Sequence, residues 1–259
     1  MEKIYILTES KLKKMISEQA QELQKKTNAE LESKILEKDT SLASLQSQMN
    51  PHFLYNALEG IRGQAMVDDA PVIADIAHAL ADYFRYSISS RSDIATLNEE
   101  ISNIRNYLRI QQFRFNDRFK VDIKYDKEDY HVMETLLPKL TLQPIVENTI
   151  AHGFVKVNKE AVINVRIVAT MKNVNITISD NGVGMDAETL LKLNDRILGN
   201  IVGETEKGRH NGIAMPNVHK RIQLMFGEDY GIHISSIAGI GTDVEIHLPF
   251  CNKREELLL

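Results

Sequence analysis

The stretch Val174-Asn175-Ile176-Thr177-Ile178-Ser179-Asp180-Asn181-Gly182-Val183-Gly184-Met185 changes character in its middle. Val174, Ile176 and Ile178 alternate with polar residues, the period of a half-buried strand. The strand then runs into an Asp and two glycines spaced by one residue. Glycine tolerates positive φ and has no Cβ, so backbone here can come close to a flat ligand. A buried carboxylate at the strand end suits an exocyclic amine such as adenine N6. Asp-Asn-Gly is also a common turn sequence, so the stretch alone does not choose between a ligand site and a turn.

Three further clusters lie around it. Upstream, Gln143-Pro144-Ile145-Val146-Glu147-Asn148-Thr149-Ile150-Ala151-His152-Gly153 falls in a helix expected over Leu140 to Ala151. Asn148 and His152 are one turn apart with Glu147 close by, while Ile145, Val146 and Ile150 face a core. An Asn carbonyl and a carboxylate are hard oxygen ligands suited to Mg²⁺, and the His can reach phosphate oxygens. An ordinary amphipathic helix is the alternative reading. Downstream, Gly208-Arg209-His210-Asn211-Gly212-Ile213-Ala214-Met215-Pro216-Asn217-Val218 opens a helix. Glycines before a helix N-terminus suit polyphosphate binding through backbone N–H groups and the helix dipole. The stretch from Asp186 to Lys207, with Gly199 and Gly203, reads as a mobile flap. Last, Gly239-Ile240-Gly241-Thr242 places a hydroxyl where it can support Asp180.

Around these clusters the period is that of strands: Phe119 to Tyr125, Val162–Ala169, Val174–Ser179, Ile232–Ser236 and Val244–Leu248, with a helix around Val218–Met225. Before residue 117 the pattern is helical. Thr96-Leu97-Asn98-Glu99 is a capping box opening a helix with Ile101, Ile104 and Leu108 in register. Pro71 opens another, with Val72, Ile73, Ile76, Ala77, Leu80, Ala81 and Phe84 on one face. Pro51 within Asn50-Pro51-His52-Phe53-Leu54-Tyr55-Asn56 is expected to bend or break a helix. From Lys11 to Met49 there is no Pro or Gly, and apolar residues from Leu12 to Met49 form a heptad-like seam with one slip. Such a helix needs a partner, and a parallel homodimer fits better than a helix lying on its own globular domain.

The totals bound the class. The chain has 259 residues and a formal net charge of -5 with both signs interspersed, which argues against a nucleic-acid partner. Cys251 is the lone cysteine, so a disulfide framework and a Cys-based zinc site are excluded and a reducing compartment fits. No apolar run approaches the ~18 residues of a membrane span, and Met1 to Leu7 is too short for a signal peptide.

The order of the four clusters resembles the N, G1, G2 and final glycine boxes of the GHKL ATPases, over residues 138 to 249. That superfamily includes histidine kinases, gyrase-type topoisomerases, heat-shock chaperones and mismatch-repair proteins. Gln46-Ser47-Gln48-Met49-Asn50-Pro51-His52-Phe53-Leu54-Tyr55-Asn56 chooses among them. It resembles the phosphoacceptor box of the LytS/YesM-type sensor histidine kinases, as do the stretches Leu140 to Asn148 and Arg221 to Gly227. The resemblance implies an α+β chain: a signalling coiled-coil helix over 1–48, a helical dimerisation and phosphoacceptor domain over 49–117, a Bergerat-type α/β sandwich over 118–252 and a tail over 253–259.

It also implies roles. His52 accepts phosphate from ATP, Asn148 holds Mg²⁺, Glu147 orients its water or acts as a base, and His152 contacts phosphate. Asp180 reads adenine with Thr242 behind it; Gly182, Gly184 and Gly212 permit backbone approach; Asn217 and Arg221 are weaker candidates on the helix after the lid. Imidazole suits the acceptor's task, since a pKa near ~6.5 leaves it largely neutral and nucleophilic at pH 7. A homodimer, a response-regulator receiver domain as phosphate acceptor, and a membrane segment preceding the cytoplasmic portion of a bacterial plasma-membrane receptor are implied too. The lid departs from the family's usual Gly-x-Gly-Ile-Gly-Leu at His210 and Ala214. The alternative to a kinase is therefore a nucleotide-binding signalling scaffold with weak or no kinase activity; a third reading is a GHKL ATPase without His phosphorylation.

Overall fold

The computed structural model describes residues 51–88, 92–116, 118–126, 130–154, 160–199, 214–253 and 257. The heptad-like seam before residue 50, and the lid with His210 and Gly212, lie outside the described residues. The chain forms two compact units, Met1–Phe53 and Leu54–Leu259. In the first, His52 and Phe53 are exposed.

Helix α1 spans Pro51–Val67 and α2 spans Pro71–Ile88. They are tied where the Tyr55 hydroxyl donates to the Phe84 carbonyl at 3.3 Å and the Arg85 guanidinium lies 5.5 Å above the Tyr55 ring. Alanines at 74, 77 and 81 recur at helical spacing on the buried face of α2. Their small side chains let α2 pack along α3, Leu97–Arg114, where Arg109 pairs with Asp75. The expected capping box opens α3: Thr96 accepts from the Glu99 N–H at 3.2 Å while Glu99 accepts from the Thr96 N–H at 2.8 Å.

A mixed sheet follows in the spatial order β2, β4, β5, β7, β6, formed by Phe119–Lys124 (β2), Ala161–Ala169 (β4), Asn173–Asp180 (β5), Gly231–Ile237 (β6) and Gly241–Pro249 (β7). Only the β2–β4 pair is parallel. Alternation is clean: Ile163, Val165, Ile176, Ile178, Val244 and Ile246 are buried, while Asn164, Arg166, Asn175 and Glu245 point to solvent. The apolar face packs on α3 (Leu97, Ile101, Ile104, Leu108), on α4, Gln143–Asn148 (Ile145, Val146), and on α6, Ala214–Phe226 (Val218, Ile222, Met225). This is a two-layer α/β sandwich. Each fully buried Leu or Ile contributes about 1.5–3 kcal/mol.

Three elements differ from the sequence reading. The expected helix over Leu140 to Ala151 is only α4, after which the backbone widens into a single π turn, Thr149–Gly153. The flap expected from Asp186 begins instead as a regular helix, α5, Ala187–Ile197, capped where Asp186 accepts from the Thr189 N–H at 2.8 Å. Leu190, Leu193 and Ile197 are the stripe that packs it on the core. A small antiparallel pair, β1 (Ile94–Thr96) with β3 (Leu136–Pro138), bridges α3 to the entry of α4. The change from helix to strand near residue 117 is present, but α3 on its N-terminal side shares one core with the sheet.

Candidate functional site

A cavity of about 430 Å³ opens between α4 with its π turn, the end of β5, α5, the start of α6, and strands β6 and β7. Its size suits a small-molecule ligand, and its wall is largely apolar, with Ile145, Met185, Leu193, Met215, Ile234 and Val244 among the lining residues. Asn148, His152, Gly184, Asp180 and Thr242 line it too. The structure thus gathers five of the expected residues around one space.

Asp180 sits at the end of β5, partly buried. It accepts from the Gly182 N–H at 2.8 Å and from the Thr149 hydroxyl at 3.3 Å, and Thr242 is its partner across the β5–β7 ladder. Burial raises its pKa above the usual carboxylate value, and these donors pull it part of the way back. Asn181 pins the strand end by accepting from the Val162 N–H and donating to the Glu160 carbonyl, each at 2.8 Å. Gly182 is required by close approach, since a Cβ there meets the Gly153 carbonyl oxygen at 2.5 Å and Asp180 Oδ1 at 2.7 Å. Gly184 has φ 62°, and a Cβ would lie 2.0 Å from the Ile237 carbonyl oxygen. The loop is strapped down where the Val183 N–H donates to Gly153, the Gly239 N–H to Val183, and the Met185 N–H to the Ser236 hydroxyl.

Other expected residues stand elsewhere. The Thr242 hydroxyl lies 3.0 Å from that of Ser236, so the side-chain hydroxyl at Asp180 is that of Thr149. Glu147 is absent from the cavity wall; it accepts from Gln143 Nε2 at 2.8 Å and from the Tyr83 hydroxyl at 3.3 Å. Adjacent helical residues point about 100° apart, so Asn148 and Glu147 do not share the cavity. Arg221 also faces away, donating to the carbonyls of Lys139 and Leu140, both at 2.8 Å. Asn217 is exposed on α6 and does not line the cavity. Ala214 lines it and opens α6 in helical backbone, where a Cβ brings no left-handed strain.

The sequence reading missed Thr149, and also Lys192 and Arg196, which bring two cations to the wall from successive turns of α5. The Leu190, Leu193, Ile197 spacing was the available signal for that helix. It missed Glu100 as well, a carboxylate with 0 % exposure. Glu100 accepts from the N–H groups of Leu140, Thr141 and Leu142 at 2.6, 2.8 and 2.8 Å, and from the Tyr86 hydroxyl. Burial pushes its carboxyl up, and those four donors oppose the shift. The Tyr83 phenol is pushed up to about 12 by burial and then by the Glu147 charge.

As to the metal expected here, Asn148 lines the cavity and its amide carries one hard oxygen, which fits an ion that takes its remaining ligands from phosphates and water. Among the described residues no group of three or more His, Cys, Asp and Glu side chains is arranged to hold a metal ion by itself.

Two family models match the chain: histidine kinase over residues 40–119, and histidine kinase-, DNA gyrase B- and HSP90-like ATPase over residues 134–252. The chain is 37% identical over 223 residues to sensor histidine kinase YesM of Bacillus subtilis, covering 86% of this chain and 36% of that protein. It is 31% identical over 230 residues to sensor protein LytS of Staphylococcus haemolyticus, covering 88% of this chain and 37% of that one. With sensor histidine kinase YpdA of Escherichia coli it shares 30% identity over 209 residues, 80% of this chain and 34% of that protein. The chain thus spans little more than a third of the length of these relatives.

Proposed function

The chain belongs to the LytS/YesM-type histidine kinases, and from that premise we propose that it binds ATP with Mg²⁺ in the cavity and phosphorylates its own His52. The observation that carries the reading is the convergence of Asp180, Thr149, Asn148 and His152 on one apolar-walled cavity. In this reading Asp180 accepts the adenine amino group, Asn148 holds Mg²⁺ and His152 meets phosphate oxygens. Mg²⁺, when bound, neutralises charge on the phosphates. An imidazole nitrogen of His52 attacks the γ-phosphorus, the bond from that phosphorus to the bridging oxygen breaks, and ADP leaves. The phosphoryl group then passes to an aspartate of a response-regulator receiver domain.

The same reading takes residues 1–48 as a signalling coiled coil, 49–117 as the dimerisation and phosphoacceptor part and 118–252 as the nucleotide-binding part of a homodimer. The full protein would be anchored in a membrane through a segment outside this sequence; among the described residues no helix is long and apolar enough to cross one. Incubation with γ-labelled ATP and Mg²⁺ tests the activity. Acid-labile, base-stable label on the protein is the expected result. Released phosphate without label means an ATPase, and neither outcome means a nucleotide-binding scaffold.

A further inference from the structure

Tyr83 and Tyr86 lie three residues apart on α2, so both side chains leave the same face of the helix. Each reaches a carboxylate of the α/β layer. The Tyr83 hydroxyl donates to Glu147 at 3.3 Å and accepts from Gln143 Nε2 at 2.7 Å. Gln143 is itself fixed by Asn103 Nδ2, which donates to its Oε1 at 2.7 Å. The Tyr86 hydroxyl donates to Glu100, the acceptor for three consecutive N–H groups of the turn into α4. Within that turn Leu140 has φ 59°, a left-handed conformation that a residue with a Cβ keeps only when held. Glu100 holds its N–H, and Arg221 its carbonyl from the other side.

The two contacts meet α4 at opposite ends. Glu100 grips the entry, whereas Tyr83 and Gln143 grip Glu147, the residue before Asn148. Six residues make up α4, and the π turn bearing Thr149 and His152 continues it directly, so a shift of α4 carries Asn148 and His152 with it. Asp180 differs, because β5 and the Gly182 N–H fix it from the sheet side, and its tie to the π turn is the longer 3.3 Å hydrogen bond from the Thr149 hydroxyl. Phosphate-side groups therefore hang on α2, and the adenine-side group hangs mainly on the sheet.

We propose that Tyr83 and Tyr86 are positioning residues of the nucleotide site, gripping α4 at both ends so that the phosphate-side groups depend on where α2 lies. The proposal rests on the reading of the cavity as an ATP site and deepens it. It makes α2, one arm of the helical hairpin, the element through which a movement of the hairpin alters Mg²⁺-dependent ATP binding while leaving adenine recognition in place.

The test is the double variant Tyr83→Phe/Tyr86→Phe, which keeps both rings and removes both hydroxyls. Amide hydrogen exchange on the nucleotide-free full chain should quicken over residues 140–153 and stay unchanged in β5 and β7. Calorimetry should show Mg·ATP affinity falling about five- to thirty-fold, the scale of one or two lost hydrogen bonds, with adenosine affinity changed less than about twofold. Unchanged exchange over 140–153 overturns the grip. Exchange that quickens equally in the sheet also overturns it, since that is loss of general stability. Equal losses for ATP and adenosine overturn the division between phosphate and adenine sides. Wild-type protein binding neither ligand would overturn the ATP reading instead, and the exchange arm separates that failure from failure of the grip. If the double variant does not fold, Tyr83→Phe alone is held to the same selective pattern at residues 143–153.

Discussion

Asp180 lines the cavity while its carboxylate is fixed by the Gly182 N–H and the Thr149 hydroxyl, and under the proposed reading it accepts the adenine amino group. A hydrogen bond to a charged acceptor contributes roughly 1.5–3 kcal/mol, about ten- to a hundred-fold in affinity. Asp180→Asn should weaken ATP binding on that scale and affect GTP far less, because guanine lacks the amino donor at that position. Equal losses for both nucleotides, measured by calorimetry, would assign the carboxylate to loop support. Asp180, Gly182 and Gly184 were legible because strand period, carboxylate and paired glycines coincide within a dozen residues. Thr149 was not, since nothing local distinguishes it from any Thr in an amphipathic helix; its role exists only because the π turn brings it against β5. Glu147 stands off the cavity wall for the opposite reason. Its neighbour Asn148 faces the cavity, and proximity in sequence along a helix means divergence in space.

The elements around the cavity stand on a few buried polar contacts. Glu100 links α2, α3 and the entry to α4 through one carboxylate. Glu100→Ala leaves three backbone donors and the Tyr86 hydroxyl without their acceptor, and leaves Arg221 with Asp93 as its remaining nearby carboxylate. A loss of about 3–5 kcal/mol in unfolding free energy is expected, read by urea titration; a change under about 1 kcal/mol would mean water replaces the carboxylate. A second such contact joins α6 to β6, where buried His219 accepts from the Ile232 N–H at 3.0 Å through Nδ1. The His219 pKa is depressed, first by burial, so the fold needs neutral imidazole. A group depressed in the fold contributes stability that is present above its unfolded pKa, about 6.5, and lost as pH falls through the folded value. Melting temperature should therefore drop from pH 7.5 to 5, and less steeply in His219→Gln, whose amide oxygen can accept the same N–H. Parallel slopes would place the acid sensitivity elsewhere. At this scale the sequence was legible wherever one period persisted, as in β4, β5, β7 and the capped α3. The turn 139–142 and the β1–β3 pair were illegible because each is too short to show a period and is fixed by contacts from α3 and α6.

The two family models match separate segments, one over residues 40–119 with His52 and the other over residues 134–252 with Asn148 and Asp180. Under the proposed function, that separation predicts that acceptor and nucleotide roles can be parted by mutation. If His52 is the phosphoacceptor, His52→Gln removes the nucleophilic nitrogen and leaves every cavity residue as it was. Labelling from γ-labelled ATP should vanish while Mg·ATP affinity stays within about twofold, well inside the tenfold that each 1.4 kcal/mol represents. Asn148→Ala is the reverse case. His52 is intact, but the amide oxygen proposed to hold Mg²⁺ is gone, so the Mg²⁺-dependent part of ATP affinity should fall and labelling with it, while adenosine binds nearly as before. The pair of variants is more decisive than either alone. Label persisting on His52→Gln means another acceptor; equal loss of ATP affinity with and without Mg²⁺ in Asn148→Ala means that Asn148 shapes the pocket and does not hold the metal. Loss of ATP binding in His52→Gln would contradict the separation itself, because among the described residues none of the cavity wall comes from the segment before α4.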